Sequence, residues 1–360
     1  MSKTAVRREA AKSTLKDFLV FDMLGGSLGT LGAPAGRPAD YADGPLRAGI
    51  DVLHISIGTH VENIEPVLVE LYDCLCLFDQ MSHRALHVRS GADIETARQS
   101  GRVGVILGSQ GLDYIGRETR LIMCLARLGL RCAALTYNEA NALGSGCLEP
   151  TDHGLTLIGK RAVRELRHNG IALDLTHVGY RTSMDAMELY DGPAIFTHSN
   201  AYALTPNPRN IKDDQIRAAA ATGGMVGVSP YSPFCHSPKS ARPTVEDFAN
   251  HIDYMVQLVG IDHVGIGTDL FPHTKVKWEN GTKRNYPEMV GPYVWETVYS
   301  EGFDSQQKFE TLPDLLARRG YTDADIRRIM GENAARVFAE AWDKAPADHS
   351  PASINAQALV

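Results

Sequence analysis

The stretch GIALDLTHVGYRTSMDAMELYDGPAIFTHSN, Gly170 to Asn200, decides the fold. Two short apolar runs, IALDLTH and AIFTHS, each contain a Thr-His pair at their end, and an amphipathic segment with helical spacing lies between them. That is strand, helix, strand, the unit that joins two parallel strands. The C-terminal ends of successive parallel strands share one rim, so the spacing predicts His177 and His198 facing each other across a common mouth. Neutral imidazoles at such a rim suit zinc or another borderline divalent ion. One histidine alone is more often a hydrogen-bonded strand cap; two in register point to a metal or substrate role.

The same unit repeats in both directions. LVFD (19–22), GIDVLHISI (49–57), VGVILGS (103–109) and RCAALTYN (131–138) precede the stretch as strand candidates. GMVGVSPY (224–231) and HVGIGTDL (263–270) follow it. Between them lie segments with helical periodicity: NIEPVLVELYDCLCLFDQMSHRALHV, ETRLIMCLARLG, TLIGKRAVRELRHNG, DDQIRAAAATGG and VEDFANHIDYMVQLVG. Eight buried strand runs, with no Gly/Ser or Pro linker dividing them, predict a closed (β/α)8 TIM barrel, with an open doubly wound sheet as the alternative. Polar residues end the strands where a barrel presents its rim: Asp22, Gln110, Tyr137 with Asn138, His177, His198, Tyr231 and Asp269. The expected organisation is a leader over 1–16, the barrel with its C-terminal helices over 17–345, and a tail over 346–360.

Composition narrows the classes. The chain has 360 residues, 44% hydrophobic and 22% charged, which is enough apolar material for one large core. A net charge of −7 offers no basic face to nucleic acid. No apolar run reaches the roughly 18 residues of a membrane span, and the first residues have no signal-peptide core, so a cytoplasmic location is expected. The six cysteines are scattered without a disulfide framework and read as reduced thiols. The Gly-rich GGSLGTLGAPAGRP is too irregular for a phosphate-binding loop.

Several blocks carry a resemblance: LTYNEANALGSGC, DLTHVGYRTSMDA, THSNAYAL with PRNI, GGMVGVSPY, HVGIGTDL and GENAARVF. Over residues 18–338 the chain resembles the membrane dipeptidase (renal dipeptidase-like) family of metallopeptidases. The resemblance implies a metal-dependent hydrolase barrel, a homodimer, and two metal ions sharing a bridging glutamate. It also implies His177 and His198 as ligands of the second ion, Asp269 as the last-strand carboxylate near the attacking water, and Arg209 as the partner of the substrate carboxylate. The chain departs from the pattern in three places. Leu24 and Gly26 stand where the family has its first-strand HxD pair, and Gln110 replaces the bridging glutamate. Tyr137 stands in the place of a histidine that holds substrate and the tetrahedral intermediate.

A neutral amide cannot bridge two divalent ions as a carboxylate does, so no dinuclear site of the family's kind is expected. One ion, zinc by its nitrogen ligands, is expected on His177 and His198, with Asp269 or Gln110 and water completing the shell. Asp269 can alternatively serve as general base, and Tyr137 as donor to an oxyanion. Arg209, Tyr137, Gln110 and Asn138 form the expected substrate contacts; Arg209 suits a ligand carboxylate because a guanidinium forks onto it. The expected substrate is a small molecule with a carboxylate, with neither nucleic acid nor membrane as partner. Three functional readings follow: a mononuclear metal-dependent hydrolase of a dipeptide or similar amide; a barrel decarboxylase or lyase; and a non-catalytic binding protein. His54 is expected as a satisfied core histidine, and His60, His153, Cys235 with His236, and His273 as loop residues over the rim. The loop FPHTKVKWENGTKRNYPEMVGPYVWETVY, with Trp278 and Trp295, is expected as a lid or subunit contact.

Overall fold

Among the described residues, nine parallel strands form one sheet: β1 (Phe21–Asp22), β2 (Val52–Ser56), β3 (Ala85–His87), β4 (Val103–Ser109), β5 (Leu130–Ala134), β6 (Ala172–Asp174), β7 (Ile195–Phe196), β8 (Met225–Val228) and β9 (Val264–Ile266). The computed structural model describes residues 15–26, 39–58, 61–236, 241–270 and 275–343. Nearly all of the expected leader, the expected tail, most of the Gly-rich loop, His60 and His273 lie outside the described residues. The order is β1-β2-β4-β5-β6-β7-β8-β9, with β3 paired to β4 off this path. Met23 N–H donates to Ile266 O at 2.9 Å and Asp269 N–H to Leu24 O at 2.8 Å, so the first strand meets the last. The eight-stranded path is therefore a (β/α)8 barrel, and the open sheet is excluded.

All eight expected strands form, most of them shorter than the apolar runs. The long helix expected from Asn63 to Val88 is corrected: the helix stops at Gln80, and Ala85–His87 is a strand in register with Val103–Val105. Ser82, His83 and Arg84 interrupt the apolar periodicity there. The helix Gly91–Ser100 follows, closed by a capping box at Ser90 and a left-handed Gly101.

Period-two alternation divides the side chains between two layers. Val52 and Ile106 face the barrel interior with Phe21, Met225 and Phe338, while Leu53 and Ile55 face the helices with Val67, Leu71 and Ile122. The helix Asn333–Asp343 sends Phe338 onto Phe21, ring centroids 5.2 Å apart, and Trp342 onto Phe338 at 5.5 Å. An apolar interior below leaves the polar residues to collect at the other end. Thr322 caps the helix Asp323–Arg327, accepting from Asp325 N–H. No helix among the described residues is long and apolar enough to cross a membrane.

Candidate active site

His177 follows β6 and His198 follows β7, and both are buried. Their Nε2 atoms lie 3.1 Å apart. Each ring is oriented by its other nitrogen. Asn138 Oδ1 sits 2.7 Å from His177 Nδ1 and, being a carbonyl oxygen, accepts. Thr197 Oγ1 lies 2.9 Å from His198 Nδ1; its own proton goes to Asp174 Oδ2 at 2.6 Å, so it too accepts. Both imidazoles thus carry their proton on Nδ1 and aim the Nε2 lone pair into the mouth, the tautomer of a metal ligand. Burial holds His198 well below the usual histidine range, with the Arg209 charge adding to the effect.

Three non-glycine residues have positive φ among those described, and all three belong to this site: Asn138 at 59°, His177 at 72° and Asp269 at 54°. Left-handed backbone is unfavourable for residues with a Cβ, so strain is concentrated where the expected functional groups sit. Gly146 permits the first of these turns, since a Cβ there would lie 2.1 Å from the Asn138 carbonyl carbon.

Gln110, just past β4, places Oε1 at 2.8 Å from His177 Nε2. Arg209 is buried, its guanidinium carbon 5.0 Å above the Phe234 ring, and its Nη2 donates to His177 Nε2 at 3.2 Å. Tyr137 stacks on His177 with centroids 3.9 Å apart. Burial pushes its hydroxyl well above the usual tyrosine range, so it stays a proton donor. A cavity of about 210 Å³ opens beside His177 and Arg209, with Cys147, Tyr180, Tyr202 and Lys212 on its walls.

Asp269 follows β9, its backbone tied to Leu24 O and its carbonyl accepting from the Tyr299 hydroxyl at 2.7 Å. Burial raises its carboxyl to about 7; Arg209 pulls it down and Asp22 pushes it up. Among the described residues, no three His, Cys, Asp or Glu side chains gather closely enough to hold an ion. The structure therefore joins His177, His198, Gln110, Asn138, Arg209 and Tyr137, and does not bring in Asp269 as the expected third ligand. Its backbone anchors hold it on the β1 and β9 side of the mouth.

Asp22 stands at the end of β1 on the rim, as expected, but its carboxylate is taken up within the protein. It is fully buried, its oxygens accepting from Thr268 N–H, Thr268 Oγ1 and Leu24 N–H. Leu24 is buried as well, and Gly26 offers only its carbonyl, which accepts from Ser56 N–H. His54 is a core histidine: Nδ1 donates to Met23 O at 2.6 Å, and Gly108 leaves room for its ring. His153 N–H donates to Ser145 Oγ, Cys235 Sγ to Ser229 O, and His236 Nδ1 lies 2.6 Å from the Tyr293 hydroxyl. Residues 275–299 cover the mouth: Trp278 Nε1 donates to the Tyr231 hydroxyl at 3.1 Å, and Tyr286 to Glu139 at 3.1 Å.

Burial outweighs hydrogen bonding at Asp22 and raises its carboxyl to about 6. The folded-state value exceeds that of an unfolded aspartate, so its contribution is fully present below about pH 4 and lost as pH rises through 6. Urea titrations from pH 4 to 7 should show Asp22→Asn relieving a loss of ~3 kcal/mol relative to the parent. Thr268 can turn its hydroxyl to Leu24 O, 3.3 Å away, so the amide is accommodated. Parallel pH profiles for both proteins would contradict the assignment.

Comparison with known proteins shows the family and the fold. The sequence profile of the membrane dipeptidase family (peptidase family M19) matches residues 53–291. An uncharacterized dipeptidase of Schizosaccharomyces pombe is 33% identical over 68% of this chain and 55% of its own length. The dipeptidase tcpJ of Claviceps purpurea is 28% identical over 74% of this chain and 56% of its own. The chain thus spans about half the length of these curated relatives. An amidohydrolase from Pseudomonas aeruginosa superposes with a TM-score of 0.82 at 27% identity, covering 92% of this chain and 99% of that one. With more than half of its length matched by the family profile, the chain belongs to the membrane dipeptidase family, peptidase family M19.

Proposed function

We propose that the chain is a metal-dependent hydrolase of a dipeptide or another small amide with a free carboxylate, working with one divalent ion. The observation that carries this reading is the pair of Nε2 lone pairs 3.1 Å apart, both fixed in the ligand tautomer by Asn138 and Thr197. Two nitrogens each about 2 Å from a tetrahedral zinc lie at close to that separation. Gln110 Oε1 lies 2.8 Å from His177 Nε2 and would complete the donor set with water. The fit is to a single ion, because Leu24 and Gly26 present no side-chain donor for a second. Zinc suits a nitrogen-rich set, and such an ion supplies a Lewis acid and acidifies water toward neutral pH.

The chain's own groups supply the rest. Asp269, raised to about 7, takes the proton of the attacking water as general base. Tyr137 keeps its proton and donates to the developing oxyanion. Arg209, buried over Phe234, forks onto the carboxylate of the substrate. The matched family and the dipeptidase names of the relatives support hydrolysis of a peptide bond.

Ion content and product analysis test this together. About one zinc-like ion per chain, and cleavage of some member of a small dipeptide panel, are expected. Arg209→Met should lower kcat/KM by roughly 30- to 5,000-fold, about 2–5 kcal/mol for a buried charged contact, without loss of the ion. No cleavage with the ion fully loaded would overturn the hydrolase and favour a lyase or decarboxylase; no ion under any loading would overturn the metalloenzyme.

A further inference from the structure

One hydrogen-bond pattern occurs twice around the barrel. Asp174, at the end of β6, accepts with Oδ1 from the N–H of Thr176, two residues on, at 2.9 Å, and from the N–H of Thr197 across the strand gap at 3.1 Å. Its Oδ2 accepts from the Thr197 hydroxyl at 2.6 Å. Asp22, at the end of β1, accepts with Oδ1 from the N–H of Leu24, two residues on, at 3.3 Å, and from the N–H of Thr268 at 2.8 Å. Its Oδ2 accepts from the Thr268 hydroxyl at 2.6 Å. All four clamp side chains are buried. The residue after each clamped threonine is a functional one: His198 after Thr197, Asp269 after Thr268.

From this duplication we infer that Asp174 with Thr197, and Asp22 with Thr268, are positioning residues that aim His198 and Asp269 into the mouth. The inference rests on the hydrolase reading for its purpose but not for its geometry. A buried carboxylate that accepts both N–H and O–H of one residue fixes that residue's backbone and its χ1 together. The consequence at β7 is specific. Thr197 has one hydroxyl proton, and the acceptor-only carboxylate claims it, so Oγ1 can only accept from His198 Nδ1–H. Asp174 thereby sets the tautomer of a ring it does not touch. At β9 the clamp locks the residue before Asp269, whose left-handed φ of 54° would otherwise relax. Each pairing joins neighbouring strands at the rim, one between β6 and β7 and one where β9 meets β1.

Nitrogen NMR of ¹⁵N-histidine-labelled full-length protein, freed of metal by chelation, tests the first clamp. The His198 signals are assigned by their loss in His198→Gln. The parent and Thr197→Ser should show His198 protonated on Nδ1. Thr197→Val, which keeps shape but not the hydroxyl, should shift it to Nε2–H or a mixture and weaken Zn²⁺ binding by roughly 10–100-fold in titration calorimetry, as for other outer-shell partners. An unchanged Nδ1–H signal in Thr197→Val, or an Nε2–H signal in the parent, overturns the assignment. For the second clamp, Thr268→Val should lower kcat by roughly 10–100-fold with KM little changed, and Thr268→Ser should restore it. An unchanged kcat, or a fall shared by Thr268→Ser, overturns that half. If no dipeptide is cleaved, the hydrolase reading fails while the tautomer measurement still decides the first clamp.

Discussion

Zinc titrated into His198→Ala is expected to give no measurable binding, whereas the parent chain binds about one ion. The outcome follows from how few donors the mouth contains. No third His, Cys, Asp or Glu joins the imidazole pair among the described residues, so each ring supplies half of the strong nitrogen donation. Loss of a directly bound ligand should exceed the 10–100-fold cost typical of outer-shell partners. The same substitution should abolish ion-dependent hydrolysis, and His177→Ala should act alike. A comparison variant separates ligand loss from misfolding. His54→Ala removes a buried imidazole of similar size whose ring nitrogen serves only Met23 O. It should cost stability of about 2–4 kcal/mol, as other buried deletions do, and leave one ion bound. Equal zinc affinity in the parent and His198→Ala would remove the imidazole pair from the site.

How much of this was legible in the sequence depended on the distance over which each signal acts. Eight strands were legible because each is buried on both faces and reads as a continuous apolar run between helical segments. The strand Ala85–His87 was not, because three residues after a 17-residue helix carry too little pattern to stand out. The Thr-His pairs at 176–177 and 197–198 announced the facing imidazoles, and their Nε2 atoms do meet. Asp174 stood in the same quoted stretch and was passed over. Its role lies in hydrogen bonds to a strand 23 residues away, which periodicity does not report. Asp22 is the complementary case: it stands at the strand end where a rim residue is expected, while Thr268, 246 residues on, takes its oxygens. Asn138, expected to contact substrate, orients His177, a role that no spacing rule announces. Arg209 was expected to meet an anion; its approach to His177 Nε2 depends on loop geometry that no spacing rule contains.

Gln110→Glu is expected to tighten divalent-ion binding by roughly 10–100-fold, since a carboxylate replaces an amide oxygen beside a doubly charged ion. At an effective dielectric near 20, a unit charge pair 4 Å apart interacts by about 4 kcal/mol; desolvation of the buried carboxylate cancels part of that, leaving about 1.4–3 kcal/mol. The position is favourable. Gln110 is buried, its backbone N–H is anchored on Ser56 Oγ at 3.0 Å, and its Oε1 already lies 2.8 Å from His177 Nε2. Without the ion the sign reverses. A glutamate desolvated at this site would have a raised carboxyl pKa, so stability is retained at low pH and lost as pH rises through that value. Thermal melts should therefore find the ion-free variant less stable than its parent at pH 8, with the gap narrowing at pH 5 and closing when zinc is added. The number of ions should stay at one, because Leu24 is apolar and the Gly26 carbonyl is taken by Ser56 N–H. Unchanged zinc affinity would mean that position 110 lies outside the ion's reach, and two ions per chain would mean that donors other than Leu24 and Gly26 complete a second cradle.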